Sequence, residues 1–282
     1  MNFTTRPELI GTFGAVTSTH WLGSAVGMSI LESGGNAFDA AVATGFTLQV
    51  VEPHLNGPGG DLPAIFYSVR EDKVRVLCAQ GPAPAAATIE HFRSLDLETV
   101  PGSGLLPAVI PGAFCGWMQL LKDFGTKRLR EVMEPAIYYA GTGYPIVPNI
   151  ANTIGKVSKL FQTEWTTSGE IYLNNGQVPE IGSLHRNEKL AETYRRLVDE
   201  AEKSSADREG QIEAALKLWR EGYVATAIDE FFQSNEILDP SGRRHAGLLT
   251  GEDMANWMPT YEDPCAVPFG DYEVFKCGFW SQ

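Results

Sequence analysis

Apolar positions recur with two periods along the chain, about 3.6 residues in long runs and two in short ones, and these predict its elements. Residues 13–18 alternate like a short strand. A helix is expected from a Ser18 or Thr19 cap through Leu31, ended by Gly34 and Gly35. A second helix is expected over 37–51, with Asn36 as its cap and Asp39 closing a capping box. Ala37, Ala40, Ala41, Ala43 and Gly45 give that helix little side-chain bulk, so another layer can pack close to its backbone. The stretch PHLNGPGGD at 53–61 cannot continue it. Residues 64–69 and 74–78, around a polar turn at 70–73, read as a β-hairpin. Helices are predicted over 113–124, 129–140, 188–201, 211–219 and 223–233. Thr250 to Asp253 form a capping box that opens a short helix, and 265–276 reads as a final pair of strand segments. The polar stretch 202–210 is the expected mobile surface loop. Strands first and last, with helices between, predict an α+β arrangement rather than a Rossmann fold.

Composition narrows the function classes. With 282 residues, 43% of them hydrophobic, the chain can bury a sizeable core in one large domain or two small ones. A formal net charge of -13 argues against nucleic-acid partners and against an anionic membrane surface. No segment approaches a membrane span. Cys78, Cys115, Cys265 and Cys277 are scattered, and read as small buried hydrophobes rather than a disulfide or zinc framework. The pairs Tyr138-Tyr139 and Phe231-Phe232 read as core.

The chain has no GxSxG elbow, Walker A loop, GxGxxG or HExxH motif. Its histidines, His20, His54, His91, His185 and His245, lie far apart, with no two at metal-ligand spacing. They read as structural residues, with His54, at the edge of the glycine-rich turn, the strongest candidate for more. No metal or organic cofactor is implied. Gly57, Pro58, Gly59 and Gly60 suit either a tight turn packed under the next layer or a backbone that a ligand approaches closely.

The run GGNAFDAAVATGFTLQVVEPHLNGPGGD at 34–61 resembles the N-terminal signature of the γ-glutamyltranspeptidase (glutathione hydrolase) family. Further similar segments follow in the family's order. Residues 14–43 resemble its first strand and two helices, and GPAPAAAT at 81–88 the segment after its central hairpin. Residues 106–146 resemble its middle helical region, and GLLTGEDMANW at 247–257 a late helix-start motif. The resemblance implies the large-subunit part of a four-layer αββα N-terminal-nucleophile hydrolase sandwich, a single domain over 1–282. Many members of the family are exported. The N-terminus MNFTTRPELIGTFGAV has no hydrophobic signal core, so a cytoplasmic form is expected and the Asn2-Phe3-Thr4 sequon reads as a coincidence.

In the resembled family a precursor cuts itself and the new N-terminal threonine of the small subunit attacks the substrate. A hydroxyl is a weak nucleophile that needs a neighbouring base, and a freed α-amine titrating near pH ~8 can serve. None of this chain's threonines sits in the family's Thr-Thr-His context. The chain alone is therefore expected to be inactive, with the nucleophile supplied by a small-subunit segment or chain. The acyl-side pocket implied by the resemblance comprises Gln80 with Asn56, Gly59, Gly60 and Asp61. Gln80 stands where the typical transpeptidase carries an arginine for the α-carboxylate of the γ-glutamyl group. Losing that charged hydrogen bond should cost about 1.5–3 kcal/mol, or roughly ten- to 150-fold in affinity. Arg75 lies five positions earlier and in a regular strand would face the opposite way. Three functions are thus implied: cleavage of a γ-glutamyl amide such as glutathione, a cephalosporin-acylase-like amidase with another acyl group, or a catalytically silent subunit. A large subunit separated from its partner should expose an apolar face.

Overall fold

A computed structural model describes Glu8 and residues 10–281. The sequon at Asn2 lies outside the described residues. The first two helices, α1 (Trp21–Glu32) and α2 (Ala37–Val51), form an antiparallel pair whose second member is the centre of the core. Asn36 caps α2 as expected: its Oδ1 accepts from the N–H groups of Phe38 and Asp39, and Asp39 accepts from the Asn36 N–H at 2.8 Å. The Asp39 carboxylate does more. It also accepts from the Thr126 N–H at 2.8 Å, the Lys127 N–H at 2.9 Å and the Thr126 hydroxyl at 2.7 Å. The first turn of α2 is thereby tied to a connection far along the chain.

The small residues of α2 admit close neighbours, as their size predicts. A Cβ added at Gly45 would sit 2.3 Å from the Trp117 ring. On α1, a Cβ at Gly27 would sit 2.4 Å from the Thr44 hydroxyl. Such a helix, buried nearly all round, is an interior element rather than a surface one.

After α2 come β1 (Leu62–Ser68) and β2 (Lys73–Ala79), antiparallel, with Leu62 opposite Ala79 and Ser68 opposite Lys73. A short α3 (Ile89–Ser94) precedes α4 (Ala113–Phe124) and α5 (Leu129–Thr142), which pack against α2. Next are β3 (Tyr144–Pro145), α6 (Pro148–Thr163), α7 (Thr166–Tyr172) and β4 (Leu184–His185), the last paired with β3. Helices α8 (Glu188–Ser204), α9 (Arg208–Arg220) and α10 (Tyr223–Ser234) close the far side of the core. A two-residue ladder, β5 (Ile237–Leu238) with β6 (Arg244–His245), leads to α11 (Gly251–Ala255), where Thr250 and Asp253 form the expected capping box. Finally β7 (Thr260–Glu262) adds to β2, giving sheet order β1-β2-β7, and β8 (Cys265–Phe269) pairs with β9 (Tyr272–Lys276).

Several expectations need correction. Residues 13–18 form no strand; they lie over α1, with Val16 against Gly27 and Gly14 against Leu31, and pair with no strand among the described residues. His20, not Ser18 or Thr19, caps α1, its Nδ1 accepting from the Leu22 N–H at 3.2 Å. The expected loop at 202–210 is mostly helix. Arg208, which opens α9, donates to the backbone carbonyls of Leu121, Lys122 and Lys127, so the three residues between α8 and α9 are held down. Helices α6 and α7 were not among the predicted elements. Pro148 sits in the first turn, where its missing N–H is harmless. Cys115 alone of the four cysteines is buried, and Cys265 is exposed. Tyr138 is exposed, while Tyr139, Phe231 and Phe232 are half-buried, since neighbouring residues on a helix point about 100° apart.

Replacing Asp39 by alanine leaves three partly buried hydrogen-bond donors of the α4–α5 connection without this acceptor. A loss of about 3 kcal/mol or more is expected in urea unfolding, with Asp39→Asn also destabilising because its amide cannot accept from all of them. An unchanged midpoint for Asp39→Ala would remove this tie from the account. A second test concerns pH. Burial holds the His20 imidazole below its ordinary 6.5; Glu52 opposes that shift and His54 adds to it. The folded chain therefore binds fewer protons at this site than the unfolded one. The stability it contributes is present above pH 6.5 and is lost as pH falls through the folded value. Protonation also removes the acceptor that caps α1. His20→Asn, which caps without titrating, should flatten the acid side of the stability profile measured by urea unfolding between pH ~5 and ~8.

Candidate functional site

The glycine-rich turn begins where α2 stops. Glu52 ends the helix with its N–H on the Leu48 carbonyl, and the Leu55 and Asn56 N–H groups fold back on the Glu52 carbonyl. Asn56 Oδ1 accepts from the Gly57 N–H at 2.8 Å. The Gly60 N–H closes a turn on the Gly57 carbonyl at 3.0 Å, and the Gly60 carbonyl accepts from the Ala113 N–H at 2.9 Å. The turn is thus anchored to the start of α4. The Glu52 carboxylate, buried at the C-terminal end of α2, accepts from the Thr19 hydroxyl.

Gly57 and Gly59 do not pack under another layer. A Cβ at either would meet no atom within 4 Å, and neither has a positive φ. The packing-turn explanation therefore fails among the described residues. The N–H groups of Gly59 and Asp61 have no partner among the described residues, in contrast to those of Gly57 and Gly60.

Gln80 follows directly on β2. Because Leu62 faces Ala79, the next residue outward on each strand, Asp61 and Gln80, leave the ladder side by side. Three glycines fix this end of β2. A Cβ at Gly81 would lie 1.9 Å from the Ile110 carbonyl oxygen, one at Gly112 would lie 2.2 Å from that of Ala79, and one at Gly116 would lie 2.5 Å from the Ala79 Cβ. Backbone contacts this close tolerate only glycine. The sequence reading did not single out these positions; the signal available was the recurrence of glycine just after β2 and at the start of α4.

Alternation along the hairpin sets the two faces. Leu62, Ala64, Phe66, Leu77 and Ala79 face the core, where Phe66 meets Phe38 and Phe124 edge-on. Arg75, opposite Phe66, lies on that side, paired with Glu71 at 3.1 Å and over the Tyr261 ring at 5.3 Å. The strand periodicity placed it correctly, away from Gln80. The other face carries Asp61, Pro63, Ile65 and Tyr67 beside Gln80, with Ile65 and Tyr67 exposed. The β8–β9 hairpin exposes Val267, Phe269, Tyr272 and Val274. The structure thus groups Gly60, Asp61 and Gln80, with Gly59 adjoining them. Asn56 stands at the opposite end of the turn, its Oδ1 engaged by Gly57, and no hydrogen bond links it to Gln80 among the described residues.

Residues 23–282 match the model of the family described as Gamma-glutamyltranspeptidase. The glutathione hydrolase-like YwrD proenzyme of Bacillus subtilis (strain 168) is 32% identical over 228 residues, which is 79% of this chain and 42% of that protein. The solved structure of LmbA2991HD is 50% identical with a TM-score of 0.95, over 99% of this chain and 48% of that one. The crystal structure of Helicobacter pylori gamma-glutamyltranspeptidase is 26% identical with a TM-score of 0.83, over 98% of this chain and 72% of that one. The chain spans about two fifths of the length of the curated relatives it matches. The α+β expectation holds: this mixed arrangement of helices and small antiparallel sheets is shared with the Helicobacter pylori enzyme. The order of helices, hairpin and glycine-rich turn, together with the match over residues 23–282, makes this chain a member of the gamma-glutamyltranspeptidase family.

Proposed function

We propose that the chain is the large-subunit part of an acyl-transferring amidohydrolase that cleaves a γ-glutamyl amide such as glutathione. The nucleophile is a threonine supplied from outside these 282 residues, freed when a precursor cuts itself. One observation carries this reading: Asp61 and Gln80 leave the β1–β2 ladder together, beside a turn whose Gly57 and Gly59 face open space. A substrate can approach such a backbone without meeting a side chain. The free N–H groups of Gly59 and Asp61 are hydrogen-bond donors for its polar atoms. The threonine's own α-amine takes the hydroxyl proton, the oxygen attacks the amide carbonyl, and the C–N bond breaks as that proton passes to the departing amine; water or a second amine then displaces the threonine oxygen from the acyl-enzyme.

Gln80 favours a second reading on the same scaffold, in which the acyl group carries no α-carboxylate. Its amide offers a neutral donor where a guanidinium would offer a charged two-pronged one. The small-subunit partner is proposed to cover the exposed apolar side chains of the β8–β9 hairpin, since a surface of this kind otherwise stays wet.

Expression of the gene product with any downstream segment, followed by gel analysis and N-terminal sequencing, tests the reading directly. Cleavage with threonine as the new first residue is expected; a single uncut chain would favour a silent subunit. In the processed protein, Gln80→Arg should raise kcat/KM for γ-glutamyl-p-nitroanilide by roughly ten- to 150-fold. No gain would show that Gln80 does not face the carboxylate. Val267→Lys on the exposed hairpin should weaken association of the two subunits in sedimentation analysis and leave the circular dichroism of this chain unchanged. Undiminished association would exclude the hairpin from the interface.

A further inference from the structure

Behind the root of the glycine-rich turn is a cavity of about 80 Å³ that the proposed chemistry does not use. Its floor is Ile150 and Ile154 of α6, both buried. Its walls are His54, Val157, Phe161 and Tyr172, all half-buried, so the space is reached from the surface. The α6 residues recur at the spacing of one helix face. No Asp, Glu, Lys or Arg lines the cavity. The polar groups at its wall are His54, Thr153 and the Tyr172 phenol. His54 Nδ1 is buried and has no hydrogen-bond partner, although it belongs to a residue on the cavity wall. Behind Tyr172, stacked on it at 6.0 Å, is His185, whose Nε2 is likewise buried without a partner.

We infer that this cavity is a binding site for a small uncharged molecule with an apolar body, of one ring or a short branched chain, and a single hydrogen-bonding group that engages His54. Three observations set that chemistry. The space is enough for roughly five to eight heavy atoms, judged by what one water requires. The lining is aliphatic and aromatic, which rewards an apolar body. His54, Thr153 and Tyr172 at the wall suit one polar group, whereas an ionic ligand would lose its hydration with no counter-charge in return. The surroundings are uncharged as well: burial moves His185 down and Tyr172 up from their ordinary values, so both stay neutral near pH ~7. The site is separate from Gln80 and does not depend on the acyl group that the enzyme takes. It does abut Pro53 and His54, the first residues of the segment that carries Asn56 to Asp61.

Phenol is the probe, with benzoate as its charged counterpart. Titration of the whole chain at pH ~7.5, followed through the side-chain ¹⁵N resonances of histidine, should move the His54 ring signals saturably, with a dissociation constant on the order of 1 mM. Benzoate should bind at least tenfold more weakly. Val157→Trp fills the cavity and should abolish the shift, while His54→Leu should weaken phenol about tenfold, seen through the Tyr172 ring signals. Should Val157→Trp fail to fold, Thr153→Phe fills the same space from the cavity wall. No saturable shift, equal binding of benzoate, or undiminished binding in the filled variant that folds would each overturn the assignment.

Discussion

The buried carboxylate of Asp39 is the constraint on which the architecture rests. It closes the capping box that starts α2, and it receives two backbone N–H groups and a hydroxyl from the α4–α5 connection. One side chain thereby satisfies donors at the entry of the central helix and at a turn almost ninety residues later. A carboxylate is the side chain suited to this, because its two oxygens offer several acceptor sites and can take charge-assisted bonds. The Asn36 amide reinforces the tie by donating to the Phe124 carbonyl at 2.7 Å. With α2 fixed at its N-terminal end, the direction in which Val51 delivers the chain to the glycine-rich turn is fixed too.

The other end of α4 carries that constraint to the candidate site. Its first N–H holds the Gly60 carbonyl, and Gly112 and Gly116 let its backbone settle against Ala79 at the end of β2. Trp117, one residue further on, covers Gly45 of α2. So α4 touches the central helix, the turn and the hairpin at once, and three glycines set those distances rather than any ligand-binding side chain. Shifting α4 by the width of a methyl group would move Gly60 and Gln80 relative to each other. Catalytic geometry of this sort tolerates little displacement, so the packing glycines and the site are physically one problem.

Much of this was legible in the sequence because the signals are local. The capping boxes at Asn36 and Thr250, the run of small residues on α2, the hairpin with its faces and the placement of Arg75 away from Gln80 follow from local residue order. Where the reading failed, something distant decided. Residues 13–18 have the alternation of a strand but no neighbouring strand, and they settle on α1 instead. Pro148 starts a helix, α6, to which the sequence reading assigned no element. The polar stretch at 202–210 looked mobile, yet Arg208 is bound to three carbonyls from the α4–α5 region. For the site, the family resemblance pointed to the turn and to Gln80, but not to their adjacency, which comes from the register of β1 with β2. Nor could sequence separate a turn glycine that packs from one that faces open space. Gly57 and Gly112 look alike in one dimension and differ completely in three.

The pairing of Asp61 with Gln80 also bears on which acyl groups this edge can hold. A γ-glutamyl group presents an ammonium and a carboxylate together. On the function proposed above, Asp61, exposed beside the turn, would face the first. For the second, the end of β2 offers the neutral amide of Gln80, because the guanidinium of Arg75 lies on the other side of the sheet, held by Glu71 and Tyr261. The edge is therefore complementary to a cation and only weakly so to an anion. A charged hydrogen bond outweighs a neutral one by about a factor of two in energy, so, if this edge is the proposed acyl pocket, the balance would favour acyl groups that keep the amine and make little of the carboxylate. That asymmetry follows from strand register, which sends alternate residues to opposite faces and leaves Arg75 on the wrong one.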